Sequence, residues 1–390
     1  MKPISLAYYS HDTFGMGHIS RASKIINSLN NQKYLKRSLL ITGCAVGNYF
    51  PFPQKCNKIW LPSLYSTHTN DGTSIYLSRD PTIDTKVAKN KRRTMTLENV
   101  SRFKPDVFIV DTNIRGIEGE LDDTIIWLKK HYSKCLRVAL FRDIIDSPEK
   151  TIKKWTGRDY FTWLEEYFDL ILIGGKESIF NFIENYGFKK NLKSKSHYIG
   201  YIKPPSKKNN GTKIKSIDII VSFGGGWDGG PALRSFIEGL DAIQKNIGTK
   251  LKILVLRGPY ARDKNTVTNG NGYKIIESSG ENLDLQTIRK KAKLSLSMCG
   301  YNTFCEIFAS KHSAIVIPRE FPEEEQLVRA QLFDELNIHS MYRQTCPDKN
   351  ILNEKIINLI NSKEQAKARK KHDSLFYKPN YLSEIIQEYR

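Results

Sequence analysis

The chain has 390 residues, 61 Lys and Arg against 41 Asp and Glu, a formal net charge of +20 and 39% hydrophobic residues. That length exceeds what one hydrophobic core normally organises, no run approaches the ~20 apolar residues of a membrane span, and the start lacks the apolar core of a signal peptide, so a two-domain cytoplasmic protein is expected. Six cysteines (Cys44, Cys56, Cys135, Cys299, Cys305 and Cys346) show no Cys-x-x-Cys pairing or companion His spacing, which argues for free thiols over disulfides or zinc.

Ile4 to Tyr9 reads as a first strand, Ser10 to His18 as a Gly-rich loop, and Ile19 to about Leu29 as a helix. Gly15 and Gly17 would let the backbone approach a ligand and leave amide N–H groups at a helix start for anionic oxygens. His18 follows directly. It is either a structural residue packing the helix start or a proton acceptor for a hydroxyl, since the ordinary histidine pKa lies near neutral. Gly15-x-Gly17 also mimics part of a dinucleotide fingerprint, but Ser20 replaces the third glycine, and Lys36 and Arg37 stand where an acidic ribose ligand is expected.

Tyr65 to Lys91 is polar, without a clear period, and reads as a mobile loop on the acceptor side. The segments 105–113 and 137–143 read as strands ending in polar groups, Asp111 in the first, Arg142 and Asp143 in the second. Asp111 and Asp143 could orient His18 or contact an acceptor, and Arg142 could hold an anionic one; a strand-end cap and a structural ion pair are the alternatives. The Pro-, Gly- and Asn-rich stretch 199–211 reads as a linker.

Ser216 to Phe223 is a second strong strand, followed by Gly224, Gly225 and Gly226, then Pro231 at the start of a helix reaching about Ile247. Amide donors preorganised at such a helix start stabilise charge developing on a diphosphate leaving group, so these three glycines are the phosphate candidates; a flexible surface loop is the alternative. Lys293 to Met298 leads to a turn at Gly300 to Thr303, where Asn302 or Thr303 could cap the next helix and place Glu306 in its first turn. A carboxylate there can accept two hydrogen bonds from a ribose diol, or serve as an ordinary capping residue. Ala314 to Pro318 reads as a buried parallel strand, with Arg319 to Gln326 as the loop at its carboxyl end, where ligands of open α/β sheets bind. Asn380 to Arg390 reads as a final helix.

The block from Gly300 to Ala330 resembles the donor-binding signature of the MurG-like and UDP-glycosyltransferase families: a Gly-rich turn, Ser/Thr-x-x-Glu, a small-residue helix, an apolar strand ending in Pro, then an acidic residue beside Gln. In that resemblance Gly300, Asn302 and Thr303 form the donor turn, Glu306 binds ribose hydroxyls, and Glu325 and Gln326 hold the hydroxyls of the donor sugar. Lys311-His-Ser313 departs from the family's Gly-x-Pro, and Glu325-Gln326 from MurG's paired Gln, which bears on the identity of the sugar. The loop Ser10 to His18 resembles the Gly-rich N-terminal loop of the same families, which makes His18 the candidate general base. Together with Arg142-Asp-Ile144 it is similar to a group of bacterial glycosyltransferases carrying His-Asp-Thr-Phe-Gly-x-Gly-His near the start.

The resemblance implies the GT-B architecture, α/β with two doubly wound Rossmann-like domains facing a cleft. Residues 1–200 would bind the acceptor, 201–369 the nucleotide-sugar donor, and about 370–390 would return to the first domain. It implies an inverting transfer from a nucleotide-diphosphate sugar, UDP-linked, to a hydroxyl of a lipid-linked or cell-surface glycan or a natural product. No cofactor is expected, and without an Asp-x-Asp element the chemistry is read as metal-independent. A sugar-nucleotide epimerase of the same fold is the alternative, although Cys299-Gly-Tyr-Asn-Thr303 stands in place of its Ser-Gly-Gly-x-Gln-Glu-Glu loop. The Lys-rich runs 189–195, 289–293 and 363–371 read as solvated faces; they could also attract anionic membrane at the inner face, an anionic acceptor, or nucleic acid, for which no binding module is present. A nucleic-acid-binding or DNA-modifying protein is the remaining reading.

Overall fold

The computed structural model describes residues 2–11, 16–69, 74–204, 216–223, 230–258, 269–270, 272–278, 288–289, 291–345 and 348–390. The chain divides into two compact units, Met1–Ile202 with Leu375–Arg390, and Lys203–Ser374.

The first unit contains β1 (Ile4–Ser10), β2 (Leu35–Thr42), β3 (Cys56–Trp60), β4 (Leu64–His68), β5 (Ser74–Ser78), β6 (Val107–Asp111), β7 (Leu136–Arg142), β8 (Leu170–Gly174) and β9 (Ser196–Tyr198). Seven of them form a parallel sheet in the order β3-β2-β1-β6-β7-β8-β9. Strands covered on both faces must be apolar throughout, and all seven residues of β1 are buried. Ile4, Leu6 and Tyr8 share a core with Ile19, Ala22, Ile25, Ile26 and Leu29 of the helix Gly17–Asn31. The strand order reverses between β1 and β6, so their carboxyl ends open the crevice in which ligands of doubly wound sheets bind.

The helix Pro379–Glu388 packs on this unit and adds Leu382, Ile385 and Ile386 to the same core. Polar contacts fix its path: Ser383 Oγ donates to Gln32 Oε1 at 2.7 Å, and Ser28 Oγ lies 3.0 Å from Tyr377 Oη.

The loop expected over Tyr65 to Lys91 is instead mostly regular structure. β4 and β5 form an antiparallel hairpin, and a helix runs from Thr85 to Phe103, its N-terminus capped by Asp84. Its buried stripe is Ala88, Arg92, Thr96, Val100 and Phe103. Two of those five residues are polar, which hides the helical period from any reading based on hydrophobicity. The stretch expected to begin a linker is likewise packed, with Ile199, Tyr201 and Ile202 buried in the first unit, while 205–211 lie outside the described residues.

The second unit contains β10 (Ile217–Ser222), β11 (Leu251–Leu256), β12 (Tyr273–Ser278), β13 (Ala292–Ser297), β14 (Ser313–Val316) and β15 (Ser340–Met341). They pair in parallel in the order β12-β11-β10-β13-β14-β15, reversing between β10 and β13. Leu294 and Leu296 of β13 face a core shared with the helix Gly230–Ile247, while Ser295 and Ser297 point to the opposite face. The charged runs are not uniformly solvated. Arg289 and Arg369 are buried, the latter donating to the Ile338 and His312 carbonyls at 2.8 and 2.6 Å. Lys195 caps carbonyls at a helix end, 2.7 Å from Leu164 O and 2.6 Å from Phe168 O. Among the described residues no helix is long and apolar enough to cross a membrane, and Cys44, Cys56, Cys135, Cys299 and Cys305 are buried thiols.

Candidate functional site

In the first unit the chemistry-bearing groups gather where β1 and β6 end. His18, the second residue of the helix Gly17–Asn31, places Nδ1 3.2 Å from Asp111 Oδ1 at the end of β6. The Asp111 carboxylate has no solvent exposure and is saturated with donors. Tyr8 Oη donates to Oδ2 at 2.9 Å, Arg21 Nε to Oδ2 at 3.0 Å, and Thr112 Oγ1 to Oδ1 at 2.8 Å, while Arg21 Nη2 also bonds Oδ1.

Burial alone would raise the Asp111 pKa, but the Arg21 guanidinium and then His18 outweigh it and hold the carboxyl well below the usual range. Asp111 is therefore an anion, and burial together with that anion pushes the Tyr8 phenol well up. Arg21 Nη2 also lies 3.2 Å from His18 Nδ1. A bare Nδ1 lone pair facing a carboxylate oxygen would be repulsive, and Nη2 already has Asp111 and Thr112 as acceptors. The favoured tautomer thus carries its proton on Nδ1, donated to Asp111, and keeps the Nε2 lone pair as acceptor.

His11 packs edge-on against His18 with ring centroids 5.5 Å apart, and among the described residues its buried Nδ1 has no hydrogen-bond partner. Burial first, then the neighbouring His18 and Arg92, hold its pKa well below the usual value, so the ring is neutral. On the other face of β1, Tyr9 Oη bonds Glu120, which pairs with buried Arg92 through Nε at 2.6 Å and Nη2 at 2.8 Å. Successive tyrosines of one strand thus anchor two buried acid–arginine pairs on opposite faces.

Of the other residues singled out in this half, Gly17 is exposed and Gly15 lies outside the described residues. Arg142 closes β7, one strand beyond β6. Asp143 follows it, buried, with Oδ1 accepting from Ile144 N at 2.9 Å and its Cβ against Gly175. The structure brings His18 to Asp111 directly and leaves Asp143 capping the turn after β7.

In the second unit Gly224, Gly225 and Gly226 lie outside the described residues. Gly300 is the N-cap of the helix Tyr301–Phe308 and has no side chain to offer; Asn302 and Thr303 are inside the first turn, where their backbone N–H groups lack intrahelical acceptors. Glu306 consequently sits in the second turn, correcting the expected placement in the first and weakening the dipole's hold on it.

Gln326 Oε1 accepts from Cys299 N at 3.2 Å and Arg319 N at 3.3 Å, tying the ends of β13 and β14 together. Its Nε2 faces Gly300, where a Cβ would lie 3.9 Å away. Glu325 is buried and accepts from Arg329 Nη2 at 3.2 Å, while Arg329 Nη1 donates to Cys299 O at 2.8 Å. Glu306 Oε2 lies 3.3 Å from Nε of buried Arg289, whose Nη2 donates to Ser222 Oγ at 3.1 Å at the end of β10. Glu306, Glu325 and Gln326 therefore surround the carboxyl ends of β10, β13 and β14. Among the described residues no group of three His, Cys, Asp or Glu is placed to hold a metal ion.

Arg21, Tyr8, Arg289 and Ser222 are polar partners of these sites that sequence reasoning passed over. Arg21 was detectable as a charge on the apolar stripe of its helix, three residues after His18. Arg289 was hidden inside a basic run, where nothing in the order of residues separates a buried cation from solvated ones.

Residues 219–385 match the model of the glycosyltransferase family 28 C-terminal domain. Over the whole chain the structure is similar to the glycosyltransferase of kitacinnamycin, with a TM-score of 0.67 and 12% identity, covering 100% of both chains. It is similar to the calicheamicin glycosyltransferase, TM-score 0.60 and 11% identity, covering 100% of this chain and 98% of that one. It is also similar to MurG of Acinetobacter baumannii, TM-score 0.56 and 12% identity, covering 100% and 99%. No curated protein sequence matches the chain. At such identities the likeness speaks for the fold, which is GT-B, two Rossmann-like α/β units with parallel sheets, as the alternation of strands and helices predicts.

Proposed function

We propose that this GT-B protein is an inverting glycosyltransferase that moves a sugar from a UDP-sugar to an acceptor hydroxyl. The observation that carries the reading is His18 held by its Nδ1 against a buried Asp111, at the topological switch point of the first sheet. Such a histidine has a fixed tautomer, and its Nε2 keeps a lone pair for an acceptor's proton.

In the proposed reaction His18 Nε2 takes the acceptor's O–H proton as that oxygen attacks the anomeric carbon. The bond from the anomeric carbon to the diphosphate breaks with its electron pair, and UDP leaves. Asp111 stabilises the imidazolium that forms, as a buried carboxylate does in other acid–base pairs. Arg21 and Tyr8 position Asp111, and Arg142 and Asp143 line the neighbouring strand end on the acceptor side.

On the donor side Glu306 takes the ribose hydroxyls and Gln326 Nε2 and Glu325 address the sugar. The backbone N–H groups at Tyr301, Asn302 and Thr303 address the diphosphate, whose charge amide donors can stabilise without a divalent ion. The match of 219–385 to a glycosyltransferase domain supports this assignment of the second unit. The basic surface suits an anionic acceptor or peripheral contact with anionic lipid.

The test is calorimetric titration with UDP and the other nucleoside diphosphates, with and without Mg²⁺, followed by detection of UDP release from UDP-sugars in the presence of candidate acceptors. Micromolar binding of UDP without metal is expected. Absence of binding by every nucleotide, with salt-sensitive binding of DNA in its place, would overturn the proposal.

A further inference from the structure

Arg289 is a buried cation beside the donor candidate Glu306, and the proposed reaction does not use it. Its side chain is 6% exposed, against 25% for its partner Glu306. It comes from the residues just before β13 and reaches the sheet face that carries Ser222 and Ser297, which pair directly in register. Among the described residues Nη2 is hydrogen-bonded to Ser222 Oγ, while Nε and Nη1 are buried without a hydrogen-bond partner, as is Ser297 Oγ on the same sheet face. Nε approaches Glu306 Oε2 to 3.3 Å, an ion pair whose hydrogen-bond alignment is incomplete.

A guanidinium removed from water on this scale needs a polar or acidic partner, and among the described residues Glu306 is the acid within ion-pair distance of Arg289. We infer that Arg289 is a positioning residue: it holds Glu306 by one oxygen in the conformation that presents the other to a vicinal diol, and so sets selectivity for ribonucleotide donors. The ion pair is made through Oε2, and the Glu306 side chain keeps a quarter of its exposure, so it can be held at one oxygen and still meet a ligand. A free glutamate on a helix surface must lose rotamer freedom on binding, and a buried cation at its flank removes much of that loss in advance.

This inference rests on the donor-site reading of the second unit, and the experiment separates the two. Affinities of the full chain for UDP and for 2′,3′-dideoxy-UDP are measured by calorimetry in the wild type, Glu306→Gln, Arg289→Met and Arg289→Lys. The wild type is expected to prefer the ribonucleotide by about tenfold or more, the scale of one well-placed hydrogen-bond pair. Glu306→Gln brings the ratio toward one. Arg289→Met does the same while dideoxy-UDP binds as in the wild type, and Arg289→Lys restores an intermediate ratio. Equal weakening of both nucleotides in Arg289→Met would mean a structural role and overturn the inference. So would an unchanged ratio in Arg289→Met alongside a lost ratio in Glu306→Gln, which leaves the donor reading intact. A wild type that fails to bind UDP, or binds both nucleotides alike, overturns the donor reading and this inference with it. Should Arg289→Met fail to fold, Arg289→Lys decides, with a wild-type ratio counting against the inference.

Discussion

His18 and Asp111, ninety-three residues apart in sequence, meet at 3.2 Å because the helix after β1 starts beside the end of β6, the neighbour across the reversal of strand order. In the proposed reaction the contact leaves Nε2 of the ring as the base and gives the imidazolium a buried counter-ion.

Replacing His18 by Ala removes that base. Turnover is expected to fall by about 10²–10⁴, the usual contribution of a positioned general base, with UDP affinity held within about threefold. Turnover and titration on the same preparation check this; normal turnover would remove His18 from the chemistry.

Asp111→Asn keeps the shape but strips Arg21 of its anion. Breaking a buried pair by removing one partner costs about 3–5 kcal/mol. The folded-state pKa of Asp111 is depressed by Arg21 and His18, so its stabilisation is present above the unfolded value of about 4 and is lost as pH falls through the lower folded value. Denaturant midpoints should therefore differ strongly between wild type and variant at pH 7 and converge in acid.

His312 and His339 have pKa values pushed down to about 3, burial being the largest cause for both, with the Arg289 and Arg369 charges next for His312. They are neutral in the fold, His312 Nε2 2.9 Å from Ser295 Oγ and His339 Nε2 2.9 Å from Ala330 O. Unfolded, they take up protons below about pH 6.5, so stability falls as pH drops from there toward 3, by up to about 1.4 kcal/mol per pH unit for each. Urea midpoints at pH 7 and pH 5 should show this loss, and His339→Gln should flatten it.

Gly239 lies in the middle of the helix Gly230–Ile247, where Ala would ordinarily add about 1 kcal/mol of helix propensity. A Cβ there would fall 2.2 Å from Oδ1 of buried Asn353 on the helix Lys349–Leu359. Overpacking between two helices costs about 1–3 kcal/mol, so Gly239→Ala is expected to lower the melting temperature. A rise would show that Asn353 has room to turn aside.

The parallel strands were legible because residues buried on both faces leave short apolar runs, as in Ile219 to Val221 and Val107 to Val110. His18 stood out through its place after a Gly-rich loop, and Glu306 and Gln326 through a local resemblance. The helix Thr85–Phe103 was illegible, since Arg92 and Thr96 occupy its buried stripe, Arg92 satisfied by Glu120 on another element at 2.6 Å and Thr96 by the Arg92 carbonyl one turn back at 2.8 Å. Glu306 was placed one turn too early because Asn302 and Thr303, good caps by type, enter a helix whose cap is Gly300.

The sequence by itself determined two doubly wound units and the residue types that could do chemistry, since hydrophobic periodicity and glycine turns are local properties of the chain. Tertiary structure alone decided which of those residues are charged, paired and oriented. Asp111 rather than Asp143 meets His18, and Arg289 is withdrawn from solvent beside Glu306 while its basic neighbours Lys291 and Lys293 remain exposed. Burial and the approach of distant strands set desolvation and counter-charge, and neither is written in the order of neighbouring residues.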